Sequence, residues 1–199
     1  LKIKPKFVIA LIEKSEILLQ QDKIPEAEKL IDLSISLNPN FIKAHCLKGK
    51  FLINKENYSK ALSYFNKALS LNENYFDAFI GKGICLYFLG YFSEGIISFE
   101  KAEEIFTKGT YAYPQILTNS DYSKVLFFKA RTLNSIRKNN EALDCIEKAI
   151  QIMKDYLKEE GREVDFVALK QHEKNYTVFY ILLIFSLQKY ELFSIQPSR

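Results

Sequence analysis

The sequence is poor in the residues that interrupt helices and link domains. Its 199 residues include only five prolines and seven glycines, which is too few for a disordered or linker-rich chain. Hydrophobic residues make up 48% of the chain, so a chain of this length can bury a sizeable interior. We therefore predict a single domain over residues 1–199.

Cysteine and histidine are also scarce, and their spacing argues against a disulfide scaffold or a metal centre. Cys46, Cys85 and Cys145 are an odd number, are widely spaced and form no CxxC pair. We expect buried thiols in a reducing compartment and, since no signal peptide is recognisable, a cytoplasmic location. The two histidines, His45 and His172, show no metal-ligand spacing. A first residue other than methionine is expected for an excerpt or a processed form of a longer protein.

Charge of one sign and long apolar runs are limited too. The net charge is +4 and no basic tract accompanies it, which gives little support to a nucleic-acid or membrane partner. Residues 175–188 carry no charge, but this stretch falls short of the ~20 apolar residues that a membrane span requires. We therefore predict neither a membrane span nor a nucleic-acid partner.

What the sequence does contain is a repeat. A shift of 34 residues places like residues on like, which is typical of a stacked-repeat architecture. The apolar spacing predicts two amphipathic helices in each unit, in one unit helix A over about 41–54 and helix B over about 58–71. Small residues recur in both helices, where two backbones must come close. The pairs in register include Ala44 and Ala78, Lys48 and Lys82, Gly49 and Gly83, Leu52 and Leu86, Phe65 and Phe99, and Ala68 and Ala102.

The pattern resembles the tetratricopeptide repeat (TPR), a helical hairpin with this period. His45 and Glu73 depart from the family pattern in the 42–75 unit. The resemblance implies an all-α fold, namely a superhelix (solenoid) of stacked antiparallel hairpins. It also implies that helix A residues line the inner groove with which such proteins bind a peptide or protein. The matching aromatic, small and alanine positions are Phe79, Gly83, Leu86, Phe92, Gly95, Phe99 and Ala102.

About four TPR-like repeats are predicted, over about 8–41, 42–75, 76–109 and 123–156, followed by a C-terminal helix over about 167–193. The insertion at 110–122 is predicted as a loop, because Pro114 and the polar run from Thr118 to Asp121 are loop signals. The C-terminal helix resembles helix A of an incomplete fifth unit. Its apolar surface favours further repeats, self-association or a partner.

The family's groove positions can be carried over residue by residue. They predict a groove with an aromatic, apolar middle flanked by cations, which suits a peptide with apolar anchors and some acidic character. Ordinary packing between helices is the alternative for the aromatic residues. The predicted groove residues are Lys43, Leu47, Lys50 and Asn54; then Asp77, Ile80, Ile84, Tyr87 and Phe88; then Lys124, Phe127, Phe128, Arg131 and Asn134; the first unit adds Glu13, Glu16 and Gln20.

Lysine recurs at one repeat position. The column could bind an anion, or its side chains could pack along the helices with their charged ends in water. The carboxylates of Glu100, Glu103 and Glu104 are expected to be solvated. The lysines of the column are Lys14, Lys48, Lys82 and Lys129.

No residue pattern indicates catalysis, a metal or a cofactor. We therefore predict a non-enzymatic scaffold for protein–protein interaction. Two alternatives stay open. One is an RNA-binding helical repeat of the pentatricopeptide type, although the period of that repeat is one residue longer. The other is the regulatory or substrate-recruiting arm of a larger enzyme.

Overall fold

The computed structural model describes residues 5–109 and 118–159. Within these ranges the chain forms eight α-helices and no strand, which confirms the predicted all-α class. The helices are α1 (Pro5–Gln20), α2 (Ile24–Leu37), α3 (Ile42–Asn54), α4 (Tyr58–Leu71), α5 (Phe76–Phe88), α6 (Phe92–Lys108), α7 (Asn119–Ser135) and α8 (Asn139–Glu159).

The contacts of the chain separate it into two compact units, Leu1–Ala149 and Ile150–Arg199. In the compact unit Leu1–Ala149, α1 packs on α2, α3 on α4 and α5 on α6, so consecutive helices form hairpins. Each hairpin contacts the next, as α4 does with α5 and α6 with α7. The stacked-hairpin arrangement predicted from the repeat is therefore present in this unit. In the second unit the described residues are 150–159, the last turns of α8.

The two helices of each hairpin are joined by one type of turn. The backbone N–H of the third residue after the first helix donates a hydrogen bond to the carbonyl of the residue five positions earlier. Examples are Lys23 to Leu18 at 2.9 Å and Lys138 to Leu133 at 3.0 Å. This bond caps the first helix and requires a left-handed residue just before the donor. Only one of the four is glycine, so the turn is held by the packing of the hairpin as well as by local preference. The left-handed residues are Asp22 (φ 59°), Glu56 (φ 57°), Gly90 (φ 82°) and Arg137 (φ 62°).

The core between hairpins is built around the Phe65 side chain, which is fully buried. A Cβ atom added to Gly49 would lie 2.6 Å from the Phe65 ring, and one added to Gly81 would lie 2.2 Å from it. The ring of Phe99 occupies the same place against Gly83, at 2.5 Å. The glycines are therefore needed because an aromatic ring of α4 or α6 lies directly on the backbone of α3 or α5.

The last residues of the predicted loop at 110–122 belong to a helix, which corrects the prediction there. Thr118 is the N-cap of α7 and forms a capping box with Asp121. The Asp121 N–H donates to Thr118 Oγ1 at 3.3 Å, and the Thr118 N–H donates to Asp121 Oδ2 at 3.0 Å. A threonine followed three residues later by an acidic residue satisfies the free N–H groups of a helix start. The polar run is thus the start of a helix, one turn earlier than predicted, whereas residues 110–117 lie outside the described residues.

Two predictions concern the C-terminal part of the chain. The helix predicted at about 167–193 and its apolar surface both fall outside the described residues. The prediction of a single domain likewise stays a prediction. Among the helices that the structure describes, none is both long and apolar enough to cross a bilayer.

Replacing Ala68 or Ala102 with leucine should destabilise the protein by roughly 1–3 kcal/mol, because both alanines lie at close helix contacts. Both side chains are fully buried. Urea unfolding followed by circular dichroism would measure the change. Ala10→Leu is the matched control, since Ala10 is exposed on α1. Equal unfolding midpoints for all three variants would show that the repeat register is wrong.

Candidate functional site

The first helices of successive hairpins lie next to each other, with α3 in contact with α5 and α5 with α7. This neighbourhood brings the predicted groove residues of three hairpins together on one side, the helix-A face. Leu47 and Ile84 are buried, at 5% and 8% exposure, and offer a partner little surface. Asp77, Ile80, Tyr87, Phe127 and Phe128 are half-buried, whereas Lys43, Lys50, Asn54, Phe88, Lys124, Arg131 and Asn134 are exposed.

The lysines of this face are neutralised by carboxylates of the same face. Lys43 Nζ lies 2.9 Å from Glu16 of α1, and Lys50 Nζ lies 2.7 Å from Asp77 of α5. Burial opposes ionisation of Asp77, but the nearby Lys50 ammonium outweighs it and lowers the pKa of the carboxyl. Lys124 lies 3.5 Å from Asp121. The ion pairs of Lys43 and Lys50 link neighbouring hairpins, whereas that of Lys124 lies within α7, and the three lysines do not form a free cationic patch.

Arg131 differs from the lysines because it lies on aromatic rings. Its guanidinium carbon is 5.2 Å from the centre of the Tyr87 ring and 5.6 Å from that of Phe127. Arg131 Nη2 donates a hydrogen bond of 3.4 Å to Tyr87 Oη. Within residues 5–109 and 118–159, no carboxylate pairs with this side chain. We call Tyr87, Phe127 and Arg131 the arginine platform; it offers an exposed cation held in place by two half-buried rings.

The other two aromatic residues predicted for the groove turn toward second helices. Phe88 stacks on Tyr58 of α4 with ring centres 4.5 Å apart, and Phe128 stacks on the buried ring of Phe99 of α6 at 6.2 Å. These contacts support the alternative reading, packing between hairpins, for both residues. Phe88 and Phe128 thus pack on the preceding hairpin, whereas the rings of Tyr87 and Phe127 lie under the Arg131 guanidinium.

Two lysines of the column, Lys48 and Lys129, take part in the stacking between hairpins. Lys48 of α3 lies 3.1 Å from Glu28 and 2.7 Å from Asp32, both on α2, and its side chain is only 9% exposed. Lys129 of α7 lies 3.0 Å from Glu103 of α6. Burial disfavours the charged form of Lys48, but the hydrogen bonds to Asp32 and Glu28 outweigh this and raise its pKa. These two lysines are therefore not available to an anionic ligand.

Glu103 corrects the expectation that the carboxylates of this helix are simply solvated. It accepts hydrogen bonds from Tyr122 Oη at 2.7 Å, Lys129 Nζ at 3.0 Å and Lys148 Nζ at 2.7 Å. Burial opposes ionisation of the Glu103 carboxyl, but these three donors outweigh it and lower its pKa to about 2. The sequence gives one indication that carboxylates of α6 pair with lysines: Glu100 occupies the same repeat position as Asp32. The expectation holds better for Glu100, which is half exposed and lies 3.7 Å from Lys129.

The stacked hairpins define a helical-repeat protein. The family model described as "Tetratricopeptide repeat" matches residues 42–75, the unit formed by α3 and α4. The resemblance inferred from the sequence is thereby confirmed, and the chain carries a TPR within an all-α solenoid. No curated protein matches this sequence.

Solved structures give the same fold. A structure from a functional characterisation of Pseudomonas aeruginosa pilF is 18% identical, with a TM-score of 0.64 over 89% of this chain and 75% of that chain. A crystal structure of MamA is 17% identical, with a TM-score of 0.60 over 78% of this chain and 83% of that chain. MamA from MSR-1 is 21% identical, with a TM-score of 0.56 over 77% and 82%. At these identities the likeness defines the fold.

Proposed function

We propose that this chain is a non-enzymatic scaffold that binds a peptide or protein segment on its helix-A face. The confirmed TPR fold supports this, since stacked hairpins present an extended surface made from consecutive repeats. The proposal needs no cofactor, and it keeps the cytoplasmic location and the two alternative functions as predictions from the sequence. RNA binding is less favoured than the lysine column of the sequence alone would suggest, because Lys48 and Lys129 are paired with carboxylates of the preceding hairpin.

The arginine platform is the single observation that carries the proposal. A guanidinium stacked on aromatic rings loses little conformational freedom when it binds a carboxylate, and Arg131 uses only one of its donors, at Nη2, for Tyr87. Arginine and tyrosine are also the residue types that contribute most to protein interfaces. The platform lies between α5 and α7, where the Arg131 side chain is exposed above two half-buried rings.

The charges of this face specify the acidic character expected of the ligand more closely than the sequence does. Among the predicted groove residues, which all lie in the described part of the chain, Arg131 is the cation without a carboxylate partner, since the lysines are paired with Glu16, Asp77 and Asp121. We therefore expect a ligand with one carboxylate, from an acidic side chain or a chain terminus, placed over Arg131. An apolar side chain beside it would pack on the Tyr87 and Phe127 rings.

Selection of a random peptide library on the parent protein would test this directly. We expect enriched peptides to carry a carboxylate next to an apolar residue, and to lose affinity by about 10- to 100-fold on the Arg131→Glu variant. Fluorescence anisotropy of the labelled peptides would give both dissociation constants.

Arg137→Glu is the matched control for this selection, because Arg137 is an exposed arginine in the turn after α7. It should leave the affinity unchanged. Circular dichroism would show that both variants keep their helices. Enriched peptides that bind the Arg131→Glu variant and the parent equally well would place the binding surface elsewhere and refute the proposal.

A further inference from the structure

One face of α1 is open to solvent, and we call it the α1 face. It consists of Phe7, Ala10, Lys14 and Ile17, which lie on one stripe of the helix. Phe7 is 52% and Ile17 is 53% exposed, and the two residues between them are exposed as well. This stripe is separate from Glu13 and Glu16, which belong to the helix-A face.

In the later hairpins the equivalent stripe is buried. The residues equivalent to Ala10 and Ile17 in α3, α5 and α7 are almost completely buried. The equivalents of Ala10 are Ala44, Ala78 and Val125, all at 0% exposure, and the equivalents of Ile17 are Phe51 at 2%, Cys85 at 0% and Thr132 at 0%. The same stripe is thus a contact surface in three hairpins and exposed in the first.

In those hairpins the stripe is covered by the second helix of the preceding hairpin, through one set of contacts. In two of them the lysine of the stripe pairs with carboxylates of that helix, as Lys48 does with Glu28 and Asp32 of α2. Lys129 does the same with Glu100 and Glu103 of α6. At the aromatic end of the stripe in α7, where α1 has Phe7, Tyr122 stacks on Phe106 of α6 with ring centres 4.5 Å apart.

We infer that the α1 face binds an acidic amphipathic helix of a partner protein, in the way that α6 binds α7. Such a helix would place one or two carboxylates against Lys14, which pairs with no carboxylate in the described part of the chain. Its apolar side chains would cover Ala10 and Ile17, and an aromatic ring would stack on Phe7. A second copy is a poorer occupant, since two α1 faces would bring two Lys14 ammonium groups into one interface to which neither face contributes a carboxylate.

A peptide with the sequence of residues 91–109 is the most complete probe, because it contains Glu100, Glu103 and Phe106. Ile97, exposed on α6, is replaced by glutamate and joined to Lys101 by a side-chain lactam. This i, i+4 link holds the peptide helical on the side away from the carboxylates. A fluorescent label and anisotropy measurements on the complete chain give the dissociation constant.

We expect the peptide to bind the parent and to bind the Lys14→Glu variant at least about tenfold more weakly, because an attractive charge pair becomes repulsive. A peptide with Glu100→Lys and Glu103→Lys should reverse the preference and bind Lys14→Glu better than the parent. Lys67→Glu is the matched control, since Lys67 is an exposed lysine on α4, and it should bind the peptide as the parent does.

Several results would overturn the inference. The helical peptide could fail to bind the parent, or bind the parent and Lys14→Glu equally well. Loss of binding in Arg131→Glu, with Lys14→Glu unaffected, would place the peptide on the helix-A face instead. Sedimentation that shows a dimer of the parent, abolished by Lys14→Glu, would assign the α1 face to a second copy of the chain rather than to a partner helix.

Discussion

Replacing Phe65 with alanine should lower the free energy of unfolding by about 3–5 kcal/mol, the largest stability change that we expect from a single truncation in this chain. The ring is fully buried and lies against the backbones of both α3 and α5. Its loss therefore opens a cavity within one hairpin and at its contact with the next. Urea unfolding followed by circular dichroism would measure the change. Phe7→Ala is the control, since that ring is 52% exposed.

A second substitution tests whether the ring and the glycine act as one unit. Gly81→Ala should destabilise the parent, since the added Cβ would lie 2.2 Å from the Phe65 ring. In the Phe65→Ala background the same change should cost little, because the ring that it clashes with is gone. Such a coupling is expected for groups in direct contact. Equal costs in both backgrounds would contradict the assignment of Phe65 as the residue that requires glycine at position 81.

Replacing Glu103 with glutamine should cost roughly 1–3 kcal/mol at neutral pH, because the charged partner of two lysines is lost from a partly enclosed site. Glu103 is 21% exposed and joins α6 to Lys129 of α7 and Lys148 of α8. Glu100→Gln is the matched control; this carboxylate is 55% exposed and lies 3.7 Å from Lys129. It should cost less than about 0.5 kcal/mol.

The effect of Glu103 should depend on pH in a defined direction. Its pKa is lowered from 4.5 to about 2 in the folded protein. A group with a lowered folded pKa stabilises the protein fully above its unfolded pKa, and this contribution is lost as the pH falls through the folded value. The difference in unfolding free energy between parent and Glu103→Gln should therefore be largest above about pH 5 and nearly vanish near pH 2. A difference that stays constant between pH 7 and pH 2.5 would rule out this ion-pair network.

The helices of the second repeat were predictable almost to the residue. The sequence predicts helices over about 41–54 and 58–71, and the structure has Ile42–Asn54 and Tyr58–Leu71. Helix formation depends on apolar spacing and on breaks in it, both of which are local. A second copy of the pattern also shows which positions are shared and which are accidental. The start of α7 was missed because a capping box and a loop use the same polar residues.

The candidate site was predictable only as a set of positions. The helix-A positions of the TPR point to Tyr87, Phe127 and Arg131, but equally to Phe88 and Phe128. The structure distinguishes them, because Phe88 and Phe128 stack on Tyr58 and Phe99 of the preceding hairpin. Which way a side chain on a helix turns depends on the neighbours offered by other helices. The period alone does not specify these neighbours.

The sequence by itself determined the helices, the hairpins and the glycines at 49 and 83, since each follows from a period that repeats along the chain. Only the tertiary structure decided which charges stay free. The hydrogen bond from Arg131 to Tyr87 and the contacts of Lys148 with Glu103 join residues more than forty positions apart. Electrostatic partners depend on distances of a few ångströms between side chains of different helices, and these distances are set only when the hairpins stack.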